Sequence, residues 1–295
     1  MDPGIGVLDS RLAPLIPDDS AIERVAGGFK FTEGPVWRGD HLLLSDIPSN
    51  RIVRWEEGPE GPSVSTFRAP SGNSNGLTLD KSGRLLACEH SGRRVSITRK
   101  RGRVETLADS YKGKRLNSPN DIVVRSDGVV IFTDPPYGLL SAGIESEIGF
   151  NGVYRVGKGG RIDVLVDDFE RPNGLAFNPD ESILYVDDTA RRHIRAFDVD
   201  ADCNLRNERV FFTYLGVADA HGPDGMKLDV EGNIWVTGPG SIWVVSPRGE
   251  ALGRIRPPEH AANLAFGGDD WRTLFMTADT GLYRIRLGIT GISVP

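Results

Sequence analysis

A short motif returns six times along this chain, and its spacing leaves few folds open. A side chain ending in an amide or a carboxylate, usually followed by Gly or Asp, leads into an apolar run. It does so at Glu33-Gly34-Pro35-Val36-Trp37, Asn75-Gly76-Leu77, Asn120-Asp121-Ile122, Asn173-Gly174-Leu175, Asp224-Gly225-Met226 and Asn263-Leu264-Ala265. The steps between them are 42, 45, 53, 51 and 39 residues. Self-similarity at roughly 40–50 residues, carried only by strand-like segments, is the signature of a β-propeller with one repeat per blade. The expected fold is all-β, a six-bladed β-propeller.

Each repeat divides into four strands. Behind each inner strand comes a near-continuous apolar run, such as Arg84-Leu85-Leu86-Ala87 or Val129-Val130-Ile131-Phe132, as expected of strands covered on both faces by neighbouring blades. The third strands alternate polar and apolar residues, as in His193-Ile194-Arg195-Ala196-Phe197, and belong nearer the outside. Fourth strands follow in five repeats only. The sixth is supplied from the other end of the chain, where Ile22-Glu23-Arg24-Val25-Ala26 stands just ahead of the first inner strand. The N-terminal strand is therefore expected to close the last blade, which leaves no open seam. Residues 21–295 are expected to form a single propeller domain, with residues 1–20 an irregular arm around Pro3, Pro14 and Pro17.

Composition narrows the function classes. The formal net charge is −6 at pH 7, and no basic stripe is present, so a nucleic-acid partner is not expected. The densest basic run, Arg93 to Arg103, is interleaved with Val95, Ile97 and Val104 and reads as a solvated strand face. Cys88 and Cys203 fall in different repeats with no CxxC spacing, so neither a disulfide framework nor a zinc cluster is expected. No apolar run is long enough to span a membrane. The first residues lack a basic segment followed by an apolar one. The expected location is cytoplasmic, or periplasmic if a leader has been removed.

Antiparallel geometry places the chemistry. Inner-strand starts and second-strand ends share one face of the disc, so Glu33, Asn75, Asn120, Asn173, Asp224 and Asn263 ring the channel at one mouth. Asp46, Glu89, His90, Asp134, Asp187, Asp188 and Asp279 are expected around them as a rim, and His41 falls on the opposite face. A ring of oxygen donors suits a hard divalent cation such as Ca²⁺. The same Asn-Gly and Asp-Gly pairs also serve as turn dipeptides.

Five of the segments resemble the regucalcin–gluconolactonase–luciferin-regenerating-enzyme family: Glu33-Gly34-Pro35-Val36-Trp37, Ser118-Pro119-Asn120-Asp121, Phe132-Thr133-Asp134-Pro135, Arg171-Pro172-Asn173-Gly174-Leu175-Ala176-Phe177 and Pro223-Asp224-Gly225-Met226. Ala87-Cys88-Glu89-His90 followed by Arg93-Arg94-Val95 looks most like the bacterial gluconolactonase branch. The resemblance implies one catalytic divalent cation in the central channel, held by Glu33, Asn173 and Asp224, with Asn120 as a fourth ligand or a substrate contact. Ca²⁺ is the first expectation, and Mg²⁺, Mn²⁺ and Zn²⁺ share such sites. The animal sugar lactonases carry a substrate-binding arginine two residues before the Asn-Asp pair. Ser118 stands there in this chain, and the nearest arginine is Arg115.

The implied activity is hydrolysis of a sugar lactone such as glucono-1,5-lactone. Water attacks a carbonyl polarised by the cation, and Asp224 is the candidate general base, with His221 second. Asn75, Glu89, His90, Arg115, Asn117, Asn120, Asp134, His221 and Asn263 are the candidate substrate contacts, and His260 stands at the same mouth. Asp121 is expected to orient Asn120. The expected partner is a small-molecule lactone, and the expected assembly a monomer or dimer. A phosphotriesterase of the same propeller type would use the same ligands, and a non-catalytic calcium-binding propeller is the third reading. Covalent catalysis is disfavoured by the lack of a Gly-x-Ser-x-Gly elbow.

Overall fold

In the computed structural model of the protein, which describes residues 3–214, 219 and 221–294, six antiparallel sheets form the six blades of a propeller. The inner strands are Thr32–Trp37, Ser74–Leu79, Ile122–Val124, Pro172–Phe177, Met226–Leu228 and Ala261–Gly267. Each pairs with a second strand, Leu42–Asp46, Leu85–Glu89, Val130–Asp134, Ile183–Asp188, Ile234–Gly238 or Thr273–Ala278. Four of these second strands are buried along their whole length, as the near-continuous apolar runs require. The core lies between blades, where the faces of adjacent sheets meet. Leu42, Leu44 and Trp55 of blade 1, for example, pack on Ala265 and Phe275 of blade 6.

The ring closes as expected. Glu23–Gly27 lies antiparallel to Gly281–Arg286 and becomes the outer strand of blade 6. Arg284 fastens the junction, with ion pairs to Glu23 at 2.8 Å and Glu57 at 2.5 Å.

The arm expected to be irregular carries structure of its own. Gly4–Val7 adds a fifth strand to blade 5, paired with Ala251–Arg256. A 3₁₀ turn over Ser10–Leu12 follows, and Leu12, Leu15 and Ile16 are buried against blades 5 and 6. Pro3 stands just ahead of this strand in the sequence and Pro14 and Pro17 after it, and four residues are too few to carry a period-2 signal of their own.

At the other face of the disc the chain crosses the channel after the last strand. Ile292 N donates to Leu228 O at 2.9 Å. Residues 292–294 and all six inner strands line an apolar cavity of about 140 Å³ there. The channel is thus open at one mouth and covered at the other. Among the described residues no helix is long and apolar enough to cross a membrane.

Candidate active site

The repeated motif marks a bulge rather than a turn. In four inner strands the pairing register slips beside the ring residue, between Glu33 and Val36, Ser74 and Leu77, Pro172 and Leu175, and Ala261 and Asn263. In the other two blades the regular strand starts only after it, at Ile122 and Met226. A bulge lets a strand re-aim one side chain, and here that side chain turns into the channel. The following Gly has a separate cause, the close approach of the next blade. A Cβ on Gly34, whose φ is +50°, would lie 2.0 Å from Asn75 O, and one on Gly174 would lie 2.0 Å from Asp224 O.

A second tier supports the ring. The penultimate residues of the second strands are Ser45, Cys88, Thr133, Asp187, Thr237 and Thr277. Three hydroxyls of this tier donate to backbone carbonyls of the next blade, Ser45 Oγ to Asn75 O at 2.7 Å, Thr133 Oγ1 to Asn173 O at 2.9 Å and Thr237 Oγ1 to Ala262 O at 2.9 Å, and Thr277 Oγ1 donates to Asn263 O of its own blade at 3.2 Å. Asp187 takes the same place in blade 4. It is fully buried, and neither carboxyl oxygen has a hydrogen-bond partner among the described residues. Burial, then the charges of Asp224 and Asp121, push its carboxyl well above the usual range.

The open mouth has a volume of about 430 Å³ and gathers Glu33, Asn75, His90, Asn120, Asn173, His221, Asp224 and His260. That is room enough for a monosaccharide-sized ligand. Glu33 Oε2 accepts from Gly34 N at 2.7 Å and from Asn263 Nδ2 at 2.9 Å. Burial lifts the Glu33 carboxyl to about 7 against those two hydrogen bonds. Asp224 is raised well above its ordinary value by burial and by Glu33. Lys227 sits within the channel, its Nζ 4.0 Å from Asp121 Oδ2.

Two of the ring amides, Asn75 and Asn173, are oriented so that their oxygens stay free. Asn75 Nδ2 donates to Asn120 Oδ1 at 3.1 Å and lies 3.3 Å from His90 Nε2, while Asn173 Nδ2 donates to Thr189 Oγ1 at 3.1 Å. Asn75 Oδ1, Asn173 Oδ1 and Asp224 Oδ1 are shielded from solvent without a hydrogen-bond partner. Unsatisfied buried acceptors are costly, and two carboxyls forced together resist ionisation. A hard cation between them satisfies both demands, so the donors fit one. No group of three His, Cys, Asp or Glu side chains converges among the described residues; the donor set is two carboxylates completed by amide oxygens. Asn120 Oδ1 already accepts from Asn75, so its place is at the edge of the set.

Several expected contacts lie elsewhere. Glu89 is buried between strands, bound to Arg94 at 2.7 Å, Ser96 at 2.6 Å and Arg68 at 3.2 Å. Asp134 Oδ2 accepts from Asn117 N at 2.8 Å, just as Asp46 Oδ1 accepts from Lys30 N at 3.2 Å and Asp188 Oδ2 from Glu170 N at 2.8 Å. These carboxylates clasp the loop that enters their own blade and form no substrate rim. Asn117 is fully buried and binds Phe150 O and Asn151. Arg115 is exposed, on the hairpin Ser110–Tyr111 and Lys114–Arg115, with its guanidinium on Gly92 O at 3.0 Å. Asn263 lies behind Glu33 and holds it. His41 stands just ahead of the second strand of blade 1, at the opposite face, with its Nδ1 2.5 Å from Asp40 Oδ1.

The mouth also contains residues that the repeat does not announce. Tyr137 and Ser141 come from a helix, Tyr137–Ala142, in the connection between the second and third strands of blade 3, and Thr189 follows Asp188. A signal for the helix exists. The stretch between Asp134 and Asn151 is the longest such connection in the chain. Burial and the charge of Asp224 raise the Tyr137 hydroxyl.

Residues 31–280 match the SMP-30/gluconolactonase/LRE-like region. The chain belongs to that family. Within the family it is similar to the gluconolactonase of Zymomonas mobilis, 36% identical over 307 aligned positions that cover 94% of this chain and 84% of the relative. The solved gluconolactonase of Xanthomonas campestris superposes with a TM-score of 0.88 at 32% identity, covering 97% of this chain and 95% of that one. A calcium-binding regucalcin from Agrobacterium tumefaciens shares the fold, with a TM-score of 0.75 at 18% identity over 99% and 97% of the two chains.

Proposed function

We propose that this family member is a lactonase that opens neutral sugar lactones of the glucono-1,5-lactone kind with one divalent cation at the open mouth. The observation that carries this reading is the set of partnerless oxygens on Asn75, Asn173 and Asp224, facing the Glu33 carboxylate in one sugar-sized mouth. The gluconolactonase relatives support the reaction class. Glu33, Asn173 and Asp224 would hold the cation, with Asn120 beside them. Bound there, the cation supplies polarisation of the lactone carbonyl and compensates the charge that develops on its oxygen. Oxygen-only donors favour Ca²⁺, and Mg²⁺, Mn²⁺ and Zn²⁺ fit the same set.

Asp224, beside the cation, takes the proton of the attacking water. The Asn75–Asn120–His90 chain and Thr189 present hydrogen-bonding groups to the sugar hydroxyls. Burial lowers His90 to about 4, so a neutral imidazole faces the sugar, its Nε2 accepting from Asn75. No lysine or arginine lines the mouth among the described residues, which favours an uncharged lactone over a phosphorylated or sulfonated one.

The test is hydrolysis of glucono-1,5-lactone, followed with a pH indicator, after removal of metal by chelator and resupply of single cations. Loss and restoration of turnover supports the reading. Turnover that survives complete removal of metal overturns it. Phosphotriesters belong in the same assay, because their hydrolysis would use the same donors.

A further inference from the structure

One cluster at the mouth has no part in holding the cation. His221 Nδ1 lies 2.8 Å from Asp219 Oδ1, and the same oxygen accepts from His221 N at 2.8 Å. The ring of His221 stacks on that of His260, with centroids 3.8 Å apart and planes at 27°. The Asp219 carbonyl in turn accepts from Arg192. Both imidazoles and Asp224 line the same mouth. His221 belongs to the loop that leads into the inner strand of blade 5, and His260 directly precedes that of blade 6.

The two stacked imidazoles differ in their surroundings. His260 is the more buried, and burial and the neighbouring His221 lower its affinity for a proton. His221 is exposed, with the Asp219 carboxylate on Nδ1. Asp279 Oδ1 stands 3.9 Å from His260 Nδ1. The arrangement fixes the tautomer: Nδ1–H is donated to Asp219, leaving Nε2 to exchange a proton with whatever occupies the mouth.

We propose that His221, oriented by Asp219 and backed by His260, donates the proton that the ring oxygen needs as a lactone opens. The inference rests on the lactonase reading. Water adds to the carbonyl carbon and gives its proton to Asp224. As the bond from that carbon to the ring oxygen breaks, the oxygen takes a proton from Nε2 of the His221 imidazolium and leaves as a hydroxyl. Asp224 then releases its proton to solvent, and His221 recovers one. The balance is one lactone and one water to one hydroxy acid. Asp219 and His260 act through His221 and are positioning residues. Tyr137 also lines the mouth, but its raised hydroxyl parts less readily with a proton.

The test compares glucono-1,5-lactone with its 5-thio analogue in the metal-loaded enzyme. The two substrates present the same sugar hydroxyls. A departing thiolate, with a proton affinity near that of a cysteine thiol, leaves without protonation, whereas an alkoxide does not. His221→Gln is expected to lose about 100-fold or more in kcat on the oxygen lactone and to stay within about threefold of the parent on the thiolactone. Asp219→Asn should show the same selective loss to a smaller degree, and Tyr137→Phe should show none. Equal losses on both substrates, or no loss on either, overturn the proposal. A parent enzyme inactive on both overturns the lactonase reading itself. Activity retained on the thiolactone also shows that the variant is folded and loaded.

Discussion

The side-chain amide of Asn263 donates to Glu33 Oε2 at 2.9 Å, so the last inner strand holds the carboxylate of the first. Asn263 stands in the ring register but does not reach the mouth. It fixes which way Glu33 points.

Removing that hand should loosen the cation without unfolding the ring. Asn263→Ala is expected to weaken divalent-cation affinity about 10- to 100-fold, the usual consequence of losing a group that orients a ligand. Calorimetric titration of the metal-free protein with Ca²⁺ reads this directly. Unchanged affinity would show that Glu33 needs no support.

Glu33→Gln and Asp224→Asn should each lower turnover by more than about 100-fold and abolish the rise in melting temperature on adding cation. In the metal-free protein the same substitutions should be neutral or stabilising, because each removes a carboxyl raised by burial beside another. Thermal unfolding with chelator and then with excess cation gives both readings. A strong loss of metal-free stability would contradict the electrostatic account.

Asp134 predicts a pH dependence of stability. Burial raises its carboxyl from 3.8 to about 7, so the folded chain holds this proton more tightly than the unfolded chain. Its contribution is most favourable below about pH 4, declines as pH climbs, and levels off above about 7, at no more than about 1.4 kcal/mol per pH unit. Asp134→Asn should remove this slope, so the parent should lose stability relative to the variant between pH 4 and 7. Urea unfolding across that range is the measurement, and parallel curves would refute the assignment.

His90 should leave no mark on the pH–rate profile above about pH 5, since burial keeps it neutral there. His90→Gln preserves a hydrogen-bonding group beside Asn75. It is expected to raise KM several-fold while kcat keeps the parent's pH dependence.

The repeat made the blades, the closing strand and the ring of Glu33, Asn75, Asn120, Asn173, Asp224 and Asn263 legible, because all three depend only on spacing along the chain. What it could not convey was direction within a strand. Glu89 and Asp134 end second strands on the predicted face, but the pleat turns them between strands, onto arginines and loop amides. The glycines after the ring residues read as turn chemistry, since their true cause, the next blade's backbone 2.0 Å from an added Cβ, lies about 40–50 residues away. Thr189 sits in a loop that obeys no repeat, and only the length of the connection between Asp134 and Asn151 points to Tyr137. Arg115 stands beside a motif in sequence but is exposed on a hairpin outside the lining of the mouth.

The strand Glu23–Gly27 pairs with Gly281–Arg286, and this has a consequence for the order of events during synthesis. Glu33 emerges from the ribosome well before Asn263 and the sheet that must receive the first strand. Until then blade 1 has no neighbour on one side and the ring of donors has a gap. The proposed cation site is therefore complete only once the last blade has met the first, and a cation bound there would report that the two strands have joined.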